Sequence, residues 1–156
     1  MGREFVLICT KCKRKVTARD GIGREPLYYA KYLYKRIMAK KSEDKLRKEL
    51  KVHPGCLPDP TWDVYMCSSC GYWMSDQAKN IVCTREKVIP AGDGMEEFRF
   101  MTFELVKRMY KKCPRCEKRM HKFKWKKSYL ERETAQAMKC PYCGGKTKII
   151  EELFWD

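Results

Sequence analysis

The 156 residues predict a small α+β protein, built of two β modules with a helical insertion in the first. Three observations lead there. Eight of the ten cysteines fall into four Cys-x-x-Cys pairs: Cys9/Cys12, Cys67/Cys70, Cys113/Cys116 and Cys140/Cys143. Apolar residues recur at helical spacing between about residues 26 and 52, while short apolar or alternating runs flank the cysteine pairs. Apolar residues make up 44% of the chain, enough for a modest core, so a cross-linking element is expected to supply part of the stability.

A Cys-x-x-Cys turn can place two thiolates on one ion, and two such turns complete a tetrahedral four-cysteine zinc site. Cys113-Pro-Arg-Cys116 and Cys140-Pro-Tyr-Cys143-Gly-Gly are separated by 23 residues, enough for a hairpin that brings the second pair to the first. Proline presets φ for such a turn, and glycine after the last cysteine accepts positive φ. This stretch resembles a zinc ribbon, and the resemblance implies a fold rather than an activity. Cys9-Thr-Lys-Cys12 is expected to pair with Cys67-Ser-Ser-Cys70, across 54 intervening residues that must leave and return. The prediction is two structural Zn2+ ions, with modules at 1–90 and 95–156. A second assignment stays open, in which His53 and Cys56 complete Cys9 and Cys12 while Cys67 and Cys70 recruit Cys83 and a fourth group. Outside a metal site, His53 reads as a turn residue and Cys56 and Cys83 as small buried hydrophobes.

The elements follow in order. Phe5–Ile8 reads as a buried strand leading into the first cysteine pair, with Lys13, Arg14 and Lys15 as a basic turn. Pro26 suits a first helical position, and Leu27, Ala30, Leu33, Tyr34, Ile37 and Met38 give a helix to about Lys40. Ser42-Glu-Asp reads as a fresh helix start running to about Val52. His53 to Pro60 is a turn-rich connector feeding a strand at Trp62–Met66. Asn80–Thr84, Lys87–Ile89 and Glu97–Phe103 read as strands, with a turn and module boundary at Pro90–Gly94; Phe103–Lys111 either continues the strand into the cysteine turn, the preferred reading, or switches to a helix. Lys146–Ile150 is the closing strand, and Leu153, Phe154 and Trp155 are expected to dock back on the core.

Residues 128–134 have two readings. Ser128 and Glu131 have capping-box spacing, which would start a helix over Tyr129–Met138. Read instead as a hairpin tip exposing Glu131 and Glu133, the segment resembles the C-terminal ribbon of transcript-cleavage elongation factors. In that family adjacent acidic residues at the tip complete a polymerase metal site; here Arg132 separates them.

Charge points to a partner. With 35 Lys and Arg against 20 Asp and Glu, the net charge is +15, which fits a polyanion such as nucleic acid. Between Lys107 and Lys127 eleven basic residues face one acid, Glu117. The expected binding residues are Lys111, Lys112, Arg115, Lys118, Arg119, Lys122, Lys124, Lys126 and Lys127; in a strand Lys122, Lys124 and Lys126 face one way and Phe123, Trp125 and Lys127 the other. A second surface is expected on the helix at Lys31, Lys35 and Arg36, where Tyr28, Tyr29 and Tyr32 either stack on bases or pack the core. No apolar run approaches the roughly 20 residues that cross a bilayer, and the start lacks a signal stretch, predicting a cytoplasmic protein, or a nuclear one in a eukaryote.

No nucleophile with its base and no paired carboxylates are legible, and four thiolates leave zinc no open position, so the expectation is a non-enzymatic nucleic-acid-binding protein for DNA or RNA, with no small-molecule substrate. The alternative is a subunit or regulator of RNA polymerase or the ribosome that acts mainly through protein contacts.

Overall fold

Strand pairing between the two ends of the chain organises the protein. In the computed structural model, which describes residues 2–23, 25–39, 44–89, 98–123 and 131–155, three antiparallel three-stranded sheets combine with three helices. The chain divides into two compact units that interleave along the sequence. One comprises Met1–Pro26, Thr61–Ala78 and Tyr110–Asp156; the other comprises Leu27–Pro60 and Lys79–Met109. The expected turn at 90–94 lies outside the described residues.

In the first unit, β1 (Gly2–Cys9) is central, with β2 (Lys15–Asp20) on one side and β9 (Thr147–Trp155) on the other. The basic stretch Lys13–Lys15 thus turns directly into a second strand, and Ile8 pairs with Lys15. Strand β9 runs antiparallel to β1 from Cys9↔Thr147 to Gly2↔Trp155, with a register shift between Val6 and Leu7. The second sheet has β4 (Trp62–Met66) between β5 (Trp73–Gln77) and β8 (His121–Lys122). Alternation decides what is buried: Phe5, Leu7, Val16, Ala18, Val64 and Trp73 form a core closed by Ala135 and Met138 from the flank of α3 (Arg132–Ala137). The Trp73 indole donates to the Lys139 carbonyl at 2.6 Å, giving the buried ring its polar partner.

The C-terminal strand is tied down through its backbone ladder to β1, but Leu153 and Phe154, expected to dock on the core, are 42% and 63% exposed. Of 128–134 only residues from 131 on are described, and these open a helix, shorter than the expected Tyr129–Met138. Glu131 occupies its N-cap position and Glu133 its first turn, while Arg132 bonds Glu152 at 2.9 Å. Ser128 lies outside the described residues, and the Glu131 side chain makes no cap bond.

In the second unit, α1 (Pro26–Ala39) buries Ala30, Leu33 and Ile37, one stripe at helical spacing. Asp44 caps α2 (Lys45–Val52), its carboxylate accepting from the Arg47 amide at 2.9 Å; the cap comes two residues after the expected Ser42, which lies outside the described residues. The third sheet has order β3 (Leu57–Pro58), β6 (Ile81–Ile89), β7 (Phe98–Lys107). Ile37, Leu50, Cys56 and Ile81 form its core, with Tyr34, Leu46 and Cys83 packed against them. Extension of the β3–β6 register sets Cys56 opposite Cys83, with Cα atoms 4.6 Å apart, and the two are joined as a disulfide. Among the described residues neither enters a cysteine quartet, so the reading of them as metal ligands is corrected; both pack in this core, as their reading as small hydrophobes expects, and are in addition joined to each other.

Candidate metal centres and cationic face

Each Cys-x-x-Cys segment folds into the same tight turn. The first cysteine's amide donates to the carbonyl five residues on, as in Cys9→Arg14, Cys67→Tyr72, Cys113→Lys118 and Cys140→Gly145. Its carbonyl accepts from the residue four on, which lies in the left-handed region in all four turns: Lys13 at φ 60°, Gly71 at 69°, Glu117 at 58° and Gly144 at 70°. The glycine expected after the last cysteine, Gly144, serves this purpose, and Gly71 does the same in the second turn. Lys13 and Glu117 meet the same backbone requirement at a steric cost of about 1 kcal/mol each.

The turns combine otherwise than their order along the chain suggests. Cys9, Cys12, Cys140 and Cys143 form one quartet, and Cys67, Cys70, Cys113 and Cys116 form the other, with all sulfurs of a quartet within 4.8 Å of one another. Cys113/Cys116 therefore does not meet Cys140/Cys143, nor Cys9/Cys12 meet Cys67/Cys70. The cause is strand pairing. The β1–β9 ladder ends at Cys9↔Thr147 and carries the fourth turn to the first, where the Thr10 amide bonds the Lys146 carbonyl at 2.9 Å. The β4–β8 pairing of Met66 with His121 carries the third turn to the second. His53 belongs to the other unit, 3.9 Å from Glu49, and enters neither quartet.

Geometry within each quartet fits an ion. The neighbouring sulfurs are 3.5 Å apart for Cys9–Cys143, 3.7 Å for Cys12–Cys140, 3.5 Å for Cys67–Cys116 and for Cys70–Cys113, and 3.8 Å for Cys70–Cys116. A tetrahedron of thiolates about 2.3 Å from zinc has edges of about 3.8 Å. Both quartets can therefore hold a metal ion, and zinc is compatible with that spacing. Backbone amides prepare the ligands. The Cys12 amide, pointing at the Cys9 sulfur from 3.4 Å, is foremost in lowering the Cys9 thiol to about 6, against the opposing effect of burial. The Cys70 amide does the same for Cys67, also to about 6. Cys116 goes the other way: the Lys118 amide favours its thiolate, but burial and hydrogen bonds with Cys67, Cys113 and Cys70 outweigh it and push the thiol up to about 12. Gly145 sits against the first quartet, where an added Cβ would lie 3.2 Å from the Cys9 sulfur and 3.4 Å from that of Cys143.

The expected cationic residues divide. Lys112, Arg115, Lys118 and Arg119 are exposed on or beside the third turn. Lys111 is not; it is 5% exposed, ion-paired with Asp76 and lies 4.7 Å from the centre of the Tyr65 ring, a structural cation rather than a surface one. Lys122 is exposed but ion-paired with the buried Asp63, and β8 ends there. Lys124, Trp125, Lys126 and Lys127 lie outside the described residues. In the second unit, Lys31, Lys35 and Arg36 are exposed on α1 together with Tyr28 and Tyr32, while Tyr34 faces the core.

Sequence reasoning missed a set of rings and guanidinium groups linking the turns. Arg14 lies 4.8 Å from the Tyr142 ring centre, Tyr142 meets Tyr72 edge to face at 6.4 Å, and Arg115 lies 5.2 Å from Tyr72. Their positions inside or just after the cysteine turns were the available signal; which turns adjoin was not legible. Among the described residues no helix is long and apolar enough to cross a membrane. Compared with protein-family models, curated proteins and solved structures, the chain shows no significant match.

Proposed function

We propose that this is a non-enzymatic, zinc-stabilised nucleic-acid-binding protein that holds phosphates on the exposed cations of its cysteine turns. The observation that carries the reading is the third turn. Lys112, Arg115, Lys118 and Arg119 are all exposed there, and the turn is anchored by the buried Cys113 and by Cys116. Cations held on a rigid frame lose little freedom on meeting a phosphate backbone, and the chain's net charge of +15 supplies long-range attraction. Zinc is the ion proposed for both quartets, since four thiolates and no other donor suit it. Such a site is saturated, which supports a structural role. Exposed Lys31, Lys35 and Arg36 on α1 offer a second phosphate-binding surface.

The test combines metal analysis with electrophoretic retardation of labelled DNA and RNA over a salt series. The expected result is two zinc ions per chain and log affinity falling linearly with log salt. Replacing Lys112 and Lys118 together by glutamine should flatten the slope by about 1.8 for duplex DNA. One feature favours the second reading, a subunit working through protein contacts: β7 is an edge strand with Met101, Leu105 and Val106 exposed at 41%, 49% and 43%. Zinc-loaded protein that fails to retard any nucleic acid at low salt would select it.

A further inference from the structure

The aromatic and guanidinium groups that connect the two metal quartets have no evident need to be where they are. Arg14 follows the first turn, Tyr72 the second, Arg115 lies in the third and Tyr142 in the fourth. The series Arg14–Tyr142–Tyr72–Arg115 passes through all four turns, with separations of 4.8, 6.4 and 5.2 Å, and crosses from the first quartet to the second between Tyr142 and Tyr72. Arg115 also donates from Nη2 to the Tyr142 carbonyl at 2.6 Å, tying the third turn to the fourth. Core packing explains only Tyr72, which lies against the buried cluster of Tyr65, Cys67, Cys113 and Met120. Arg14 and Arg115 are exposed, and Tyr142 keeps 43% of its surface in water although a tyrosine ring is among the groups most favourably buried. On the third turn's approach, Tyr110 is 56% exposed with Arg119 stacked 3.1 Å from its ring centre.

We infer that this ridge is a stacking site for the bases of an unpaired nucleic-acid strand, with Tyr142 and the planar guanidinium groups of Arg14 and Arg115 as its platforms. The inference rests on the nucleic-acid reading above and specifies the form of the ligand. Planar cationic and aromatic groups recognise π-faces, and a duplex hides those faces in its own stack. Lys11, Lys13, Lys112, Lys118, Lys139 and Lys146, all exposed on or beside the same turns, can follow the phosphates of a strand laid along the ridge. An acidic peptide would satisfy the lysines but leave the rings unused. The metal sites fit the task, because they fix the turns without burying their tips.

Fluorescence anisotropy of the metal-loaded protein provides the test. The probes are a labelled oligothymidylate and an oligouridylate of about 15 nucleotides, within the range of known single-strand sites, and a labelled A·T duplex of the same length. Unlabelled heparin, a polyanion without bases, serves as competitor. Tyr142→Ala should weaken single-strand binding about tenfold while changing the salt slope and duplex affinity little. Arg14→Lys keeps the charge but not the plane, and should weaken single strands several-fold without altering competition by heparin. Phe154→Ala, at an aromatic more exposed than Tyr142 and away from the turns, is the control and should change nothing. Zinc content and thermal unfolding of each variant separate a binding defect from a folding one. Binding that is intact in Tyr142→Ala and Arg14→Lys, or lost equally for strand, duplex and heparin, overturns the stacking site while leaving phosphate binding standing. Absence of binding to every probe overturns both.

Discussion

The sulfurs of Cys9 and Cys143 lie 3.5 Å apart although 134 residues separate them in the chain. A shared ion at this point closes a loop of most of the protein, so the first quartet joins the two chain ends and the second is nested within it. Single and paired serine substitutions can read this out as metal per chain. Cys9→Ser, Cys143→Ser and their combination should each leave one zinc, because all three damage the same site. Cys116→Ser with Cys143→Ser should leave none. Retention of one zinc in that last pair would show that Cys113/Cys116 and Cys140/Cys143 share an ion after all. Loss of a structural zinc also removes folding energy, so thermal unfolding should fall in parallel with metal content.

Lys13 and Glu117 occupy the left-handed position that Gly71 and Gly144 fill in the other two turns. Lys13→Gly and Glu117→Gly should therefore raise stability modestly, by up to about 1 kcal/mol, the greater flexibility of the unfolded chain offsetting part of the gain. Gly71→Ala and Gly144→Ala should lower it by about 1 kcal/mol, or roughly 3 °C in melting temperature for a chain of this size. Neither glycine has any atom within 4 Å of an added Cβ, so the effect is one of backbone conformation alone.

Acidification should loosen the metal-free protein in a defined window. The folded Cys9 and Cys67 thiols sit at about 6 against an ordinary 9.0, so their contribution to stability is complete above pH 9 and is lost as pH falls through about 6. Cys116 has the opposite sign: raised to about 12, it contributes below pH 9 and loses that contribution as pH climbs through 12. Ultraviolet thiolate absorbance of the chelator-treated chain should show a step near pH 6 that is reduced in Cys9→Ser and in Cys67→Ser. A single step near 9 would contradict the role assigned to the Cys12 and Cys70 amides.

Asp76 holds the buried ammonium of Lys111, which also lies against Tyr65. Asp76→Asn should destabilise the first unit by about 2 kcal/mol, since it leaves a buried cation without its counter-charge. Lys111→Met should cost less, because a methionine fills similar space and asks for no partner. The ordering of these two variants in urea unfolding is the check; a costlier Lys111→Met would mean that the ammonium is chiefly a Tyr65 partner. Neither substitution should alter nucleic-acid binding by more than its effect on folding.

Much of the local structure was legible from the residues. Cysteine spacing identified all four turns, and helical period located α1 and α2 with little error, because both depend on neighbours within a few positions. The β2 strand was missed since only Val16 and Ala18 of its six residues are apolar, too few to mark their alternation as a strand. Asp44 is the cap, its carboxylate accepting from the amide three residues on, a role that its type suits as well as serine does. Lys111 looked like part of a basic run until its alternation with Lys112 put it under Tyr65.

Which turns share an ion was beyond any local signal. Two Cys-x-x-Cys motifs carry no mark of their partner, and each of the four is chemically able to meet any other. By itself the sequence determined the ligands, the turn that presents them and the positive charge around them. Tertiary structure alone decided the pairing, because the long-range ladders of β1 with β9 and β4 with β8 choose which turns adjoin. The same ladders set Tyr142 between Arg14 and Tyr72, from residues that lie as much as 128 positions apart.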